Sequence, residues 1–263
     1  RQLTHSPAHL EHPHMTVRKN QASLTAEEKR RFVAALLELK RNGRYDAFVT
    51  THNAFIMGDT DNGERTGHRS PSFLPWHRRF LLEFERALQS VDASVALPTG
   101  TGPPTVRRVP PCAPDFLGGT GRSRDGQVMD GPFAASKGNW PINVRVDGRT
   151  YLRRALGAGV RELPTPAEVD SVLAMATYDM APWNSASDGF RNHLEGWRGV
   201  NLHNRCMSGS AGRWRPGSPP TTRCSGCTTP TSTSCGRSGS AGTPGPRTCR
   251  AAVRRTSSTS ARR

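Results

Sequence analysis

The chain has 263 residues and a formal net charge of +16, long enough to bury a substantial core in one or two domains. No apolar run reaches membrane-spanning length and no charged-then-apolar leader opens the chain, so neither a membrane span nor a signal peptide is expected. Such a basic balance would ordinarily point to nucleic acid or an anionic surface, but residues 206–263 hold ten Arg and no Asp or Glu. With Arg107 and Arg108 this accounts for +12 of the charge and leaves a body near +4, which argues against a nucleic-acid-binding role. The six cysteines (Cys112, Cys206, Cys224, Cys227, Cys235, Cys249) fall in the same two segments.

Residues 1–14 carry His5, His9, His12 and His14 without a helical or strand pattern to fix them. Leu10 to Met15 can be encoded with a ribosome-binding-like GGAG just before an ATG, so residues 1–14 read as a non-native leader and Met15 as the start. Thr25-Ala-Glu-Glu28 is a capping box opening an amphipathic helix to about Lys40, with Gly43 as its stop. A second helix follows, on which Phe48, Val49 and His52 share a face. After a Gly/Asp/Asn-rich loop from Gly58 to Gly67 comes His68, then Phe73-Leu-Pro75-Trp76-His77-Arg78.

From His77 the apolar residues Phe80, Leu81, Phe84, Leu88 and Val91 fall at helical spacing, and His77 lies on the same face. Pro75 suits the start of that helix. A buried imidazole needs a hydrogen-bond or metal partner. A lone one is best read as a satisfied core histidine, but here His52, His68 and His77 occupy two helices and the loop between them. Three such rings can converge on one ion, and neutral imidazoles suit copper, zinc, iron or nickel.

Thr99 to Cys112 has no periodicity. Globular patterning resumes at Ala113, and Gly118 to Arg149 reads as a long irregular surface segment with short strands at most. Thr165-Pro166-Ala-Glu168 is a second capping box, opening a helix to about Tyr178. Phe190 to Trp197 reads as a short helix stopped by Gly196, with His193 structural or exposed. After Arg205 only Met207, Trp214 and Val253 are bulky and apolar, too little to offset the ordering entropy. The expectation for 206–263 is a disordered basic tail, although Cys224-x2-Cys227 with Cys235 and Cys249, read by itself, hints at zinc or a disulfide-bonded tail.

The run His-x4-Phe-Leu-x-Trp-His-Arg-x2-Leu-x3-Glu, here His68 to Glu85, resembles the first copper-site signature of tyrosinases and other type-3 copper proteins. Within that group the chain is similar to the small bacterial tyrosinases from about Met15 to Arg205. The resemblance implies a mainly α fold, a four-helix bundle around a dicopper site, which would be incomplete here at the C-terminus. It implies His52, His68 and His77 as ligands of one copper (CuA) and His203 as the first ligand of a second (CuB). The partners it implies are phenolic substrates, O2 and a copper-delivery helper protein that carries the export signal. The implied activity is ortho-hydroxylation of monophenols and oxidation of o-diphenols to o-quinones, feeding melanin formation. Glu195 and Asn204 resemble the pair that orients a water to take the proton of an incoming phenol. Taken without the resemblance, they read as a solvated helix residue and a helix cap.

Two segments depart from the family. A family-like Tyr-Trp-Asp-Trp written TAC TGG GAC TGG TCC G and read one base later gives Thr-Gly-Thr-Gly-Pro, the string at Thr99 to Pro103. A family-like Phe-Trp-Leu-His-His-Ala-Tyr-Ile-Asp-Lys-Leu-Trp, shifted likewise, gives Ser225 to Gly236. Segments 99–112 and 206–263 therefore read as frameshifted, which leaves a copper domain over 15–205. The shift costs CuB two ligands: Met207 stands where the His one turn after His203 belongs, and Thr229 near the third. A thioether is a poor substitute for imidazole, so CuA can fill and the chain as written is expected to be inactive. Alternatives are a catechol oxidase lacking the monophenol step, an oxygen carrier of the hemocyanin kind (disfavoured by size), and a basic nucleic-acid-binding protein.

Overall fold

The computed structural model of the chain describes residues 16–56, 61, 67–99, 113–144, 148–156, 160 and 162–211. Six α-helices carry the fold: α1 (Ala26–Arg41), α2 (Arg44–Ile56), α3 (Phe73–Gln89), α4 (Pro166–Leu173), α5 (Phe190–Glu195) and α6 (Leu202–Ala211). Among the described residues there is no strand, only isolated bridges pairing Asn20 with Thr99 and Gln127 with Arg153. The fold is mainly α, as expected. The expected leader, nearly all of the 99–112 segment and everything beyond residue 211 lie outside the described residues.

The expected capping box opens α1: the Thr25 hydroxyl accepts from the Glu28 N–H, and the Glu28 carboxylate accepts from the Thr25 N–H. The helix buries Phe32, Ala35, Leu36 and Leu39 along one face. Gly43, at φ +79°, turns the chain directly into α2. Nothing crowds its α-carbon, so the backbone angle rather than space calls for glycine there. Helix α3 starts at Phe73, one turn earlier than the spacing from His77 suggests. Pro75 sits in its first turn, where the missing N–H would have had no partner within the helix. His77 is thus a full turn inside α3.

Helix α1 packs on α2 and α3. Helices α2 and α3 meet through rings: Phe48 lies 5.6 Å from Phe80 and 5.2 Å from Phe84, and Tyr45 lies 6.1 Å from Phe84, all edge-on. Edge-to-face pairs of this kind add to the apolar burial. The buried residues form two clusters. The larger joins α1 and the later part of α3 (Leu81, Phe84, Leu88) to Tyr45 and the irregular segments. The smaller gathers Phe73 at the start of α3 with Val172, Leu194 and Leu202 from α4, α5 and α6. Helix α3 therefore runs from one cluster to the other, and His77 lies between them.

Three expectations need correction. The irregular stretch after Gly118 is not a surface segment, since Val128, Phe133 and Trp140 are buried in the larger cluster. Buried Arg154 makes this possible: one guanidinium nitrogen donates to the carbonyls of Leu117, Gly118 and Gly119 at 3.0, 2.6 and 2.9 Å. Loop carbonyls satisfied in this way can be buried without regular structure. Helix α4 stops at Leu173 rather than Tyr178. The carbonyls of Thr177 and Tyr178 instead accept the first two N–H groups of α5, both at 2.8 Å, which α5 cannot satisfy internally. Finally, α6 continues past Arg205 to Ala211, so six residues of the expected tail are helical.

Glu85 is the buried fastener of the α3 side. Both its oxygens accept from the Arg18 guanidinium, at 2.9 and 2.7 Å, and Oε1 also accepts from the Leu97 N–H at 2.9 Å. Replacing it with alanine strands a buried N–H and a half-buried guanidinium. Glu85→Ala is expected to cost about 2–4 kcal/mol, read as a lowered urea midpoint with an unchanged slope.

Candidate metal centre

His52 stands on α2, His68 on the loop before α3, His77 on α3 and His203 on α6. The fold brings all four together. Ring centroids are 4.9 Å apart for His68 and His77, 6.1 Å for His52 and His77, and 6.5 Å for His52 and His68. His203 lies 5.8 Å from His68 and 6.3 Å from His77. Three imidazoles bound to one ion at about 2.0 Å put their centroids roughly 5–6 Å apart. The spacing suits a shared ion, and it does not separate His52 from His203 as the third ring beside His68 and His77. Among the described residues, no group of three or more His, Cys, Asp or Glu is drawn in closely enough to hold an ion as it stands. The widest gap is between His52 and His68, so closing a shell that includes His52 requires that ring to turn inward.

The hydrogen bonding fits a metal site. His77 Nδ1 is 2.7 Å from the Phe73 carbonyl oxygen. A carbonyl only accepts, so the proton is on Nδ1 and Nε2 is the nitrogen that can present a lone pair to an ion. His203 Nδ1 faces the Asn204 side-chain oxygen at 3.2 Å, which favours the same tautomer. The Phe73 ring, fully buried, packs 4.7, 5.1 and 5.5 Å from the rings of His77, His203 and His68. Trp76 and Phe80, stacked at 5.1 Å, flank His52 at 5.9 and 5.5 Å. The imidazoles thus sit within an aromatic shell that keeps water from the sides it covers.

Glu195 and Asn204 are neither solvated nor capping. Glu195 has no exposed surface, and burial pushes its carboxyl up to about 7 against the opposing pull of the Arg69 N–H and the Arg191 guanidinium. Asn204 lies inside α6, beside His203. Gly196, the residue after Glu195, has φ +112°, and an added Cβ there would come within 2.9 Å of the Asn204 Cβ and 2.1 Å of the Asn201 side-chain oxygen. His193 is structural, with Nε2 2.9 Å from an Asp188 carboxylate oxygen. Met207 stands one turn beyond His203 on α6.

Sequence reasoning passed over the buried charges behind this cluster. Arg191 and Glu195 are both fully buried, and Arg191 also pairs with buried Asp179 at 2.8 Å. The spacing of four between Arg191 and Glu195 on one short helix was the available signal. Asp179, in an irregular loop, gave none.

A helical core that gathers four imidazoles, two of them with Nδ1 engaged, has the donor chemistry of a metal-binding protein. The chain belongs to the tyrosinase family. The common central domain of tyrosinase matches residues 42–209. The chain is 84% identical over 207 residues to a tyrosinase of Streptomyces antibioticus, covering 78% of this chain and 76% of that one. It is 78% identical over 207 residues to a tyrosinase of Streptomyces glaucescens, with the same coverage. Grixazone synthase of Streptomyces griseus is 44% identical over 211 residues, covering 69% and 67%. A polyphenol oxidase variant of Thermothelomyces thermophila shares the fold, with a TM-score of 0.58 at 20% identity over 84% of this chain and 68% of that one. By family the protein is a copper-dependent monophenol monooxygenase and o-diphenol oxidase, acting on phenols with O2. No helix among the described residues is long and apolar enough to cross a membrane.

Helix α6 is clasped to α4 by Arg205, whose two terminal nitrogens engage the two Glu168 oxygens. Arg205 and the Thr165 cap hold the Glu168 carboxyl down from 4.5 to about 2. A carboxyl depressed on folding adds stability above its unfolded value and loses it as pH falls through the folded one. Protection of the α6 amides, with the intrinsic exchange rate at each pH divided out, is therefore expected to fall between about pH 4.5 and 2. In Arg205→Met that protection should already be low at neutral pH and lack the step.

Proposed function

We propose that His52, His68 and His77 hold one copper ion and that His203 contributes to a second, which this chain cannot complete. The observation that carries the reading is the convergence of four imidazoles on one aromatic-lined point, with His77 held by the Phe73 carbonyl. Copper would supply the redox chemistry with O2 that no side chain here provides. The chain's own residues do the rest. The Phe73 carbonyl fixes the His77 tautomer, and the aromatic shell excludes water from the sides it covers. Glu195 and Asn204 orient a water that takes the phenol proton, a role supported by the lifted Glu195 carboxyl and by the packing of Asn204 against Gly196, the residue after Glu195.

Met207 in place of a fourth-residue histidine leaves the second ion with one imidazole and a remote thioether, and the chain as written is inactive in turnover. We attribute this to shifts of reading frame near codons 99, 112 and 206. By the resemblance to small bacterial tyrosinases, supply of copper and export fall to a separate helper protein.

Copper content per chain tests the proposal. This chain should bind one copper and fail to oxidise either monophenols or o-diphenols. A frame-corrected chain should bind two and oxidise both. His77→Ala should abolish the copper bound by this chain, whereas His203→Ala should leave it. Loss of copper in His203→Ala but not in His52→Ala would move His203 into the first site. Catalysis of the diphenol step alone by the frame-corrected chain would make it a catechol oxidase.

A further inference from the structure

Of the three residues proposed for the first copper, only His68 is on a loop, and the residue after it is held with unusual thoroughness. Arg69 adopts a left-handed backbone conformation at φ +55°, a region that costs a non-glycine side chain free energy unless its surroundings enforce it. Its N–H donates to Glu195 Oε1 at 2.7 Å. Its guanidinium lies over the Trp197 ring at 4.2 Å and reaches an Asp61 oxygen at 3.8 Å. Asp61 is itself held, accepting from the N–H and hydroxyl of Ser185 at 2.9 and 2.6 Å.

Behind Glu195 stands a chain of fully buried charge. Glu195 Oε2 accepts from Arg191 at 3.2 Å, and Arg191 reaches both Asp179 oxygens at 2.8 and 3.1 Å and the Asn184 carbonyl at 2.8 Å. Burying three charged groups costs several kcal/mol per ion, and an apolar replacement is often as stable. Stability alone is therefore a weak reason for the arrangement. Fixed geometry is a better one, because each member has its partners and the far end grips the backbone beside His68.

We propose that Asp179, Arg191 and Glu195 act as a positioning chain that orients the His68 imidazole through the Arg69 backbone. This rests on the metal-centre reading, adds to it Asp179 and Arg191, and gives Glu195 a second role beside the water it orients. In this role Glu195 needs an acceptor oxygen at Oε1, with its charge serving only to hold Arg191. His52 and His77 need no such device, because their helices set their backbones.

The test is copper affinity of this chain and the Cu(II) EPR spectrum of the bound ion, with the urea midpoint recorded in parallel. Residues that orient a metal's histidine ligand typically change affinity 10–100-fold when altered. Glu195→Leu removes the acceptor and should weaken copper binding by about that factor, with a changed spectrum. Glu195→Gln keeps an acceptor oxygen and should restore the spectrum and most of the affinity. Arg191→Lys keeps the charge but loses the fork; it should lower the urea midpoint and, in protein still folded below that midpoint, weaken binding and alter the spectrum. If Glu195→Leu fails to fold, Glu195→Gln and Arg191→Lys decide. Wild-type affinity and spectrum in Arg191→Lys, or a loss in Glu195→Gln as large as in Glu195→Leu, would overturn the proposal while leaving the metal centre intact. Absence of copper binding by the unaltered chain would instead overturn the metal-centre reading.

Discussion

The hydrogen bond from His77 Nδ1 to the Phe73 carbonyl constrains everything around it. It exists because α3 begins at Phe73, which places the carbonyl one turn behind the imidazole with its oxygen pointing along the helix toward it. A first-turn proline at position 75 allows that early start. One end of α3 is then anchored by Phe73 in the smaller apolar cluster and the other by Leu81, Phe84 and Leu88 in the larger. An imidazole between two packed clusters has little freedom, and neighbours on α2 and α6 must come to it.

The clusters differ in how they are built. The larger rests on long helices and on an irregular wall whose carbonyls are gathered by Arg154. The smaller rests on three short helices, none of which could persist alone. They are instead cross-tied: α5 hangs its first N–H groups on the carbonyls after α4, and α6 is clasped to α4 through Arg205 and Glu168. His203 belongs to this lighter half. The histidines proposed for the two ions thus rest on halves of different build, both of which lean on α3.

Much of this was legible in the residues. Helical spacing around His77 and His52 gave the two helices and the faces that carry both histidines, because period and burial go together. The capping boxes at Thr25 and Thr165 gave both helix starts to the residue, since the sequence carries the bond partners itself. The early start at Phe73 was hidden by Pro75, which reads as a boundary although it is tolerated inside a first turn. The core role of Val128, Phe133 and Trp140 was hidden because irregular backbone has no period, and its burial depends on a guanidinium arriving from residue 154. The end of α4 was misplaced because the carbonyls that stop it are claimed by α5, a tertiary competition no local pattern records.

The same distinction explains why the buried charges cluster where they do. A ligand on a helix inherits its position from hydrogen bonds every residue along that helix, and apolar packing is enough to hold the helix. A ligand on a loop inherits nothing, and apolar packing, being non-directional, can bury such a loop without fixing its dihedral angles. Directional bonds to the loop backbone can fix them. For a left-handed residue at position 69 this means an acceptor held rigidly at its N–H, and a buried carboxylate is the strongest acceptor a side chain offers. That carboxylate must be held by a cation, and the cation by a second carboxylate. The succession Asp179, Arg191, Glu195, Arg69, His68 is thus the physical consequence of placing one imidazole of the cluster outside a helix.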